Sequence, residues 1–155
     1  MKKLPPIEKI HEAYSAIADC RIILMEEYAT VFSSNRAKEY TVTMKDGVYT
    51  SNDNASYWQG YAGYPIIAVL MLQGKLPLNV DIAEHFKNIN WTELNEKYKS
   101  KYEKAVAEIM EGLQEKNVDC HEINSEVEKV YKAIQTLDIT CKRSNKRPPS
   151  SSNAK

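Results

Sequence analysis

The side chains best suited to chemistry lie in one short segment, residues 52–65, which combines aromatic rings with amide groups. Planar rings can stack on nucleic-acid bases or hold a peptide, and amides add hydrogen bonds. The free N–H groups of a helix that begins at Pro65 could add contacts to an anion. We therefore predict that this segment, the aromatic loop, is a binding site formed by Asn52, Asn54, Tyr57, Trp58, Gln59, Tyr61 and Tyr64.

The same rings have an alternative role in packing. Large aromatic side chains bury much apolar area and can hold a loop against a helix without contacting any ligand. From the sequence alone we favour this packing interpretation over the recognition surface, and both stay open.

Other residues with reactive side chains do not form a recognisable site. The imidazoles and thiol that could ligate a metal fall in no ligand spacing, and a Cys–His nucleophilic pair would lack a third group to orient it. The acidic pair Glu26–Glu27 lies among ordinary surface charges, and the few glycines do not form a phosphate loop. The residues that could be considered as metal ligands are His11, His85, Cys120 and His121. We predict no catalytic residue, no cofactor and no metal.

The elements that position the loop can be read from periodicity. Pro5–Pro6 precedes a helix whose apolar residues recur at spacings of three and four. Residues 22–32 could continue that helix or form strands, and their β-branched character favours two paired strands. Residues 39–44 alternate as a strand, and Asp46–Gly47 is a strong hairpin turn before the returning strand 48–51.

Helices follow the loop. Residues 65–73 are almost entirely apolar, which predicts a buried central helix that ends at Gly74. Asn79 and Asn90 can cap further helices, and one long apolar stripe runs from Trp91 to Leu113. Ser125 with Glu128 repeats a capping pattern, and the last two helices are expected to pair. The fold class is therefore α+β, with an N-terminal helix, a small antiparallel β-meander, a buried central helix and a C-terminal helical pair.

The order of strand, hairpin turn, polar loop and apolar helix over residues 29–76 resembles the SWIM zinc-finger family. The resemblance rests on Ser33–Ser34, the strand Tyr40–Thr41–Val42, the turn Asp46–Gly47 and the apolar run 66–70. The zinc ligands of the family fall at four positions that cannot supply thiolate or imidazole. The resemblance thus implies a zinc-free ββα module used in DNA binding or protein contacts, with Tyr49, Ser51, Gly63 and Pro65 where the ligands would stand.

Composition sets the remaining expectations. The 155 residues predict one domain, residues 1–141, with the SWIM-like part at 29–76 and a helical part at 79–139. Residues 142–155 carry five basic residues and no acid, whereas residues 1–141 carry sixteen basic and twenty-one acidic residues. We predict that this basic tail is disordered. Three widely spaced cysteines and the absence of a signal peptide or a membrane span predict a cytoplasmic protein with no membrane partner.

The function predicted from these observations is a non-catalytic binding or adaptor module, zinc-free, that contacts protein or nucleic acid through the aromatic loop. An extended positive strip beside the loop would favour nucleic acid, and a flat apolar patch would favour protein. The alternative is a small-molecule-binding protein or enzyme with a pocket in the loop at 52–65, which a deep polar cleft would favour.

Overall fold

The computed structural model describes residues 1–150. The first helix, α1, covers Lys9–Ala18, after a turn that begins at the prolines. Its residues 10–16 are buried against the central and C-terminal helices. Residues 22–32 form two strands, β1 (Ile22–Leu24) and β2 (Tyr28–Phe32), as their β-branched character favours.

A single five-stranded sheet follows the chain order. The first four strands form an antiparallel meander, in which β1 pairs with β2, β2 with β3 (Glu39–Lys45) and β3 with β4 (Val48–Ser51). Asp46 and Gly47 both have positive φ, 53° and 76°, as a primed hairpin turn requires. The predicted α+β class and the meander are thus confirmed.

The fifth strand, β5 (Thr140–Cys141), was not anticipated from the sequence. It pairs parallel to β4 at the sheet edge, with Val48 opposite Thr140 and Tyr49 opposite Cys141. The backbone N–H of Lys142 also donates to the Tyr49 carbonyl at 2.9 Å. This pairing brings the C-terminal basic residues beside the segment that follows β4, which is the aromatic loop.

The central helix α2 (Tyr64–Leu72) lies between α1 and the sheet, where residues 65–71 are all buried. It ends where the sequence indicates, with Gly74 at a φ of 76°. A core of aliphatic side chains from α1, α2, β2 and β3 joins the later helices around it. This packing holds the end of the aromatic loop rigidly against the core.

The long stripe expected from Trp91 to Leu113 is divided between two helices. The helix α4 (Trp91–Lys97) ends before α5 (Tyr102–Glu115), because Lys99 and Ser100 adopt positive φ values of 52° and 64°. A preceding short helix, α3 (Val80–Glu84), is capped by the Asn79 side chain as predicted.

The last helix, α6 (Cys120–Thr136), begins earlier than the Ser125–Glu128 pattern indicated. The side chain of Asp119 accepts a hydrogen bond from the Glu122 N–H at 3.1 Å and caps this start. The short connection between α5 and α6 makes them the predicted helical pair, and the two helices are in contact.

Candidate functional site

The aromatic loop is anchored on its inner side by one buried carboxylate. Asp53 accepts hydrogen bonds from the Ser51 hydroxyl and from the Ser56 N–H, the latter at 3.0 Å. The Ser56 hydroxyl in turn accepts from the Gly63 N–H at 2.9 Å. These bonds close the loop on itself before α2 begins, and they leave its outer side free to project.

Gly63 is required by this closure. A Cβ atom at position 63 would stand 2.3 Å from Asp53 Oδ2 and 2.8 Å from Ser56 Oγ. Such approaches are far inside van der Waals contact, so a side chain there would displace the carboxylate that anchors the loop.

Three of the predicted site residues, Asn52, Tyr61 and Tyr64, lie on the inner side. The buried Asn52 amide accepts from the Thr41 N–H at 2.7 Å and donates to the Arg147 carbonyl at 3.0 Å. Tyr61 is buried, and the ring of Tyr64 meets that of Tyr40 edge-on at 6.5 Å. Burial raises the pKa of Tyr40 to about 12 and also raises the pKa of Tyr64. For Tyr61 and Tyr64 the packing interpretation describes the geometry.

The other four predicted residues lie on the outer side. A short π-helical segment, Ala55–Gln59, carries Tyr57 and Trp58, whose rings meet edge-on at 4.8 Å. Trp58 is 61% exposed, and Asn54 and Gln59 are exposed beside it. The packing interpretation does not describe Trp58, because most of its indole ring remains in solvent.

A basic segment, residues 142–147, lies against this outer side. The guanidinium of Arg143 stands 4.9 Å from the centre of the Tyr57 ring and 5.6 Å from that of Trp58. Lys146 Nζ donates to the Thr41 hydroxyl at 3.2 Å, and Arg147 is tied to Asn52 through its carbonyl. The part of the basic tail that the structure describes is therefore laid along the loop, whereas residues 151–155 lie outside the described residues.

The N-terminal lysines flank the loop from the opposite direction. Lys3 Nζ donates to the Gln59 carbonyl at 2.6 Å and lies 5.8 Å from the Tyr61 ring centre. A cleft of about 450 Å³ opens here between the N-terminus, Gly60 and β5. The loop contributes only Gly60 to its lining, so the pocket of the small-molecule alternative would lie beside the loop and not within it.

Buried charges lie behind the inner side. Lys9 Nζ pairs with Glu12 Oε2 at 2.9 Å and stands 3.8 Å from the centre of the Tyr102 ring. Burial would lower the pKa of Lys9, but Glu12, and after it Tyr102, outweigh burial and raise it. Asn95 donates to the second Glu12 oxygen at 3.2 Å. This group joins α1 to the start of α5, and its pairing is that of a structural ion pair.

The positions that correspond to the zinc ligands of the SWIM family are occupied by internal contacts. The Tyr49 hydroxyl donates to Gln73 Oε1 at 2.6 Å and accepts from Lys75, and Ser51 bonds Asp53. Among residues 1–150, no group of three or more His, Cys, Asp or Glu side chains is placed to hold a metal ion. The zinc-free module stays a prediction; residues 39–72 form two strands, a short π-helical segment and the helix α2.

An exposed apolar patch lies at the other edge of the sheet. It belongs to the β1–β2 hairpin, far from β4 and β5 in the strand order, and comprises Ile23, Leu24, Met25 and Tyr28. It is separate from the aromatic loop, whose neighbours are cationic.

The sequence indicated the loop but not the arrangement around it. Asp53 and Ser56, which fold the loop, carry no pattern that separates them from other small polar residues. Arg143 reaches the rings because of β5, a strand of two residues whose only signal is the β-branched pair Ile139–Thr140.

No helix in the described part of the chain has the length and apolarity needed to cross a membrane. One family model, described as Uncharacterised conserved protein UCP014422, matches residues 2–140 of the chain. No curated protein and no solved structure matches it.

Proposed function

The chain belongs to this family, and we propose that it is a non-catalytic module that binds single-stranded nucleic acid through the aromatic loop and the basic segment beside it. The proposal includes no cofactor and no metal. It places the protein in the cytoplasm, which fits three free cysteines.

The observation that carries the proposal is the position of Arg143 on the rings of Tyr57 and Trp58. Proteins that bind single strands without strong sequence preference combine aromatic rings, on which bases stack, with a cationic track for the phosphates. Here both parts meet at one place. Trp58 keeps most of its ring in solvent, so a base can stack on the indole while Arg143 stays beside it.

Charge distribution supports nucleic acid over protein at this surface. Residues 1–141 carry more acid than base, yet the groups next to the loop are Lys3, Arg143 and Lys146. These three cations favour a polyanion over an apolar protein contact at this surface. The exposed amides of Asn54 and Gln59 can add hydrogen bonds to base edges.

Duplex DNA fits this surface less well than a single strand. Stacking on an exposed indole requires an unpaired base, and the projecting segment 55–59 has only five residues. We therefore expect a preference for single strands over duplexes of the same length.

The test uses the fluorescence of Trp58, because the second tryptophan, Trp91, is only 4% exposed. Titration with an unlabelled single-stranded oligonucleotide should quench the tryptophan emission. The Trp58→Phe variant should not show this quench. The matched control is Tyr28→Ala, which removes an exposed ring at the distant sheet edge and should leave the quench unchanged. Absence of any quench at saturating oligonucleotide would reject the loop as the binding surface.

A protein partner is the second candidate, and one observation favours it. Four large apolar side chains are exposed at the β1–β2 hairpin, and β1 forms the free edge of the sheet. An exposed apolar edge strand can pair with another chain, most simply with a second copy. Light scattering over a range of concentrations would show a dimer that Ile23→Lys abolishes, whereas a monomer throughout would remove this candidate.

A further inference from the structure

A second cationic cleft shares no lining residue with the aromatic loop, although the Arg21 guanidinium in its wall lies 5.8 Å from the centre of the Tyr64 ring. Its volume is about 340 Å³, and it is formed by the end of α1, the turn after β2 and the segment between α3 and α4. The side chains that line it are strongly polar: Asp19, Arg21, Ser34, Arg36, Lys87, Asn88 and Asn90, with Ile89 as the one apolar member. Three cationic and one anionic side chain leave this cleft with a net positive charge.

Arg21 is the unusual member of this lining. It is 1% exposed, its Nη1 donates to the Phe32 carbonyl at 2.7 Å, and its Nε lies 3.3 Å from Asp19 Oδ2. Within residues 1–150 its Nη2 has no hydrogen-bond partner, although the atom is buried. A buried guanidinium donor without an acceptor is rare and costly, so an acceptor is expected there.

The orientation of the guanidinium places that unmet donor on the cleft side. In the rigid planar fork of arginine, Nε and Nη2 donate along the same edge, whereas Nη1 points away from it. The Nε edge faces Asp19, which lines the cleft, and Nη1 faces the backbone of β2. Because Nη2 itself is buried, Arg21 acts on a ligand in the cleft through its positive charge, and a direct bond to Nη2 requires a small local movement.

Asp19 does not close the cleft to an anion, because both of its oxygens are already engaged. Oδ2 faces Arg21 Nε, and Oδ1 accepts from the Asn88 N–H at 2.8 Å. Its carbonyl accepts from Arg36 Nη2 at 3.1 Å. The carboxylate thus compensates part of the Arg21 charge and holds the rim of the cleft in place.

Other donors converge on the same space. The Ser34 hydroxyl accepts from the N–H groups of Trp91 and Thr92, at 2.8 and 3.3 Å, so its own proton is available for a ligand. Lys87 is exposed, and its contact with Glu84 at 3.5 Å is a weak surface pair. An oxyanion in the cleft would meet the Arg36 guanidinium, one ammonium and one hydroxyl, next to the buried positive charge of Arg21.

We propose that this cleft binds a phosphate group. A tetrahedral anion with several acceptor oxygens suits the planar guanidinium of Arg36 and the ammonium of Lys87, with the positive charge of Arg21 nearby. The phosphate could belong to a free phosphorylated small molecule or to the backbone of an oligonucleotide, and the experiment separates these two sources.

The experiment follows backbone amide resonances by NMR during a titration with inorganic phosphate. Phosphate replaces chloride in the buffer, so that the ionic strength stays constant. Saturable shifts at Asn88, Ile89 and Trp91, adjacent to the cleft, are expected. The double variant Arg36→Gln, Lys87→Gln should raise the dissociation constant by roughly tenfold or more, because it removes charge-assisted contacts. Both side chains are exposed, so this variant keeps the fold even where Arg21→Lys does not.

A matched control removes the same charge from exposed lysines outside the cleft, with Lys116→Gln and Lys129→Gln, and should bind phosphate as the wild type does. Displacement of phosphate by a single-stranded oligonucleotide would assign the site to a nucleic-acid backbone, and lack of displacement would assign it to a free phosphate compound. Shifts that do not saturate, or equal binding by the cleft double variant and the wild type, would overturn the proposal.

Discussion

Replacing Gly63 by alanine should destabilise the protein because of a contact that can be measured in the structure. The new methyl group would lie 2.3 Å from Asp53 Oδ2 and 2.8 Å from Ser56 Oγ. Asp53 must then move and weaken its bonds to Ser51 and to the Ser56 N–H. Overpacking costs about 1–3 kcal/mol, and a hydrogen bond to a charged group contributes about 1.5–3 kcal/mol. We expect a loss of about 3 kcal/mol in the free energy of unfolding.

Urea denaturation measures this loss, and Gly112→Ala is the matched control. Gly112 lies within α5, where an added Cβ would meet nothing within 4 Å. Alanine there should stabilise the protein by up to about 1 kcal/mol, because glycine disfavours a helix interior.

A double-mutant cycle identifies the cause of the loss. Asp53→Ala removes the carboxylate that the new methyl group would strike, so the two substitutions together should cost less than the sum of their separate effects. A loss below about 0.5 kcal/mol in Gly63→Ala, or full additivity with Asp53→Ala, would refute the anchoring role assigned to Asp53.

Three further predictions concern the core, the loop and the metal. His11 is buried and burial lowers its pKa from 6.5 to about 4, so the unfolded chain takes up its proton first and stability should fall by about 3 kcal/mol as the pH drops from above 6.5 to below 4. Urea denaturation across this pH range should show that the loss of stability caused by His11 is absent from His11→Leu. An unchanged pH profile in this variant would contradict the role assigned to His11. Trp58→Ala should cost less than about 1 kcal/mol of stability, whereas Trp91→Ala, at a 4% exposed position, should cost about 3–5 kcal/mol; equal costs would mean that Trp58 is packed. Purified protein should contain no stoichiometric zinc and melt at the same temperature with and without chelator, and a large chelator-induced decrease would disprove the zinc-free module.

Local patterns predicted much of the fold because they are set by neighbouring residues. The alternation of Tyr40, Val42 and Met44 matches their burial in β3, and the turn Asp46–Gly47 adopts the positive φ values that its composition indicates. The all-apolar segment after Pro65 is the buried helix α2. Capping by Asn79 and Asn90 also followed from side chains that act within one turn.

The misread positions depend on contacts that no local pattern contains. The break between α4 and α5 arises from positive φ at Lys99 and Ser100. Neither residue type marks the end of a helix in the sequence. The strand β5 forms because β4, which contains Tyr49, has a free edge with which a distant segment of the chain can pair. Sequence reasoning cannot supply such long-range pairing from a run of two residues.

The sequence predicted which residue types form the candidate site. It did not predict which of them face inward and which face the solvent. The aromatic loop was identified by composition, but its rings divide between buried and exposed positions. Tyr61 and Tyr64 face inward because α2 begins next to them, and Trp58 faces outward because Asp53 and Gly63 close the loop beneath it. That division depends on hydrogen bonds within the loop and on the packing of α2, which the residue types alone do not reveal.

The central claim is that the aromatic loop and residues 142–147 act together on single-stranded nucleic acid. Fluorescence anisotropy of a labelled single-stranded oligonucleotide, at two salt concentrations, tests it with the full chain and with a chain that ends at Cys141. A third protein, with Arg143→Gln, Lys146→Gln and Arg147→Gln, keeps the backbone contacts of the segment while it removes the charge.

We expect the full chain to bind weakly and with strong salt dependence. Phosphate contacts by Lys142, Arg143, Lys146 and Arg147 would give a slope of log K against log salt of about −3 for single strands. Both altered proteins should lose this binding, and a duplex of equal length should bind less well to the full chain. Tight binding by the chain that ends at Cys141 at physiological salt, or no binding by the full chain at low salt, would contradict the claim.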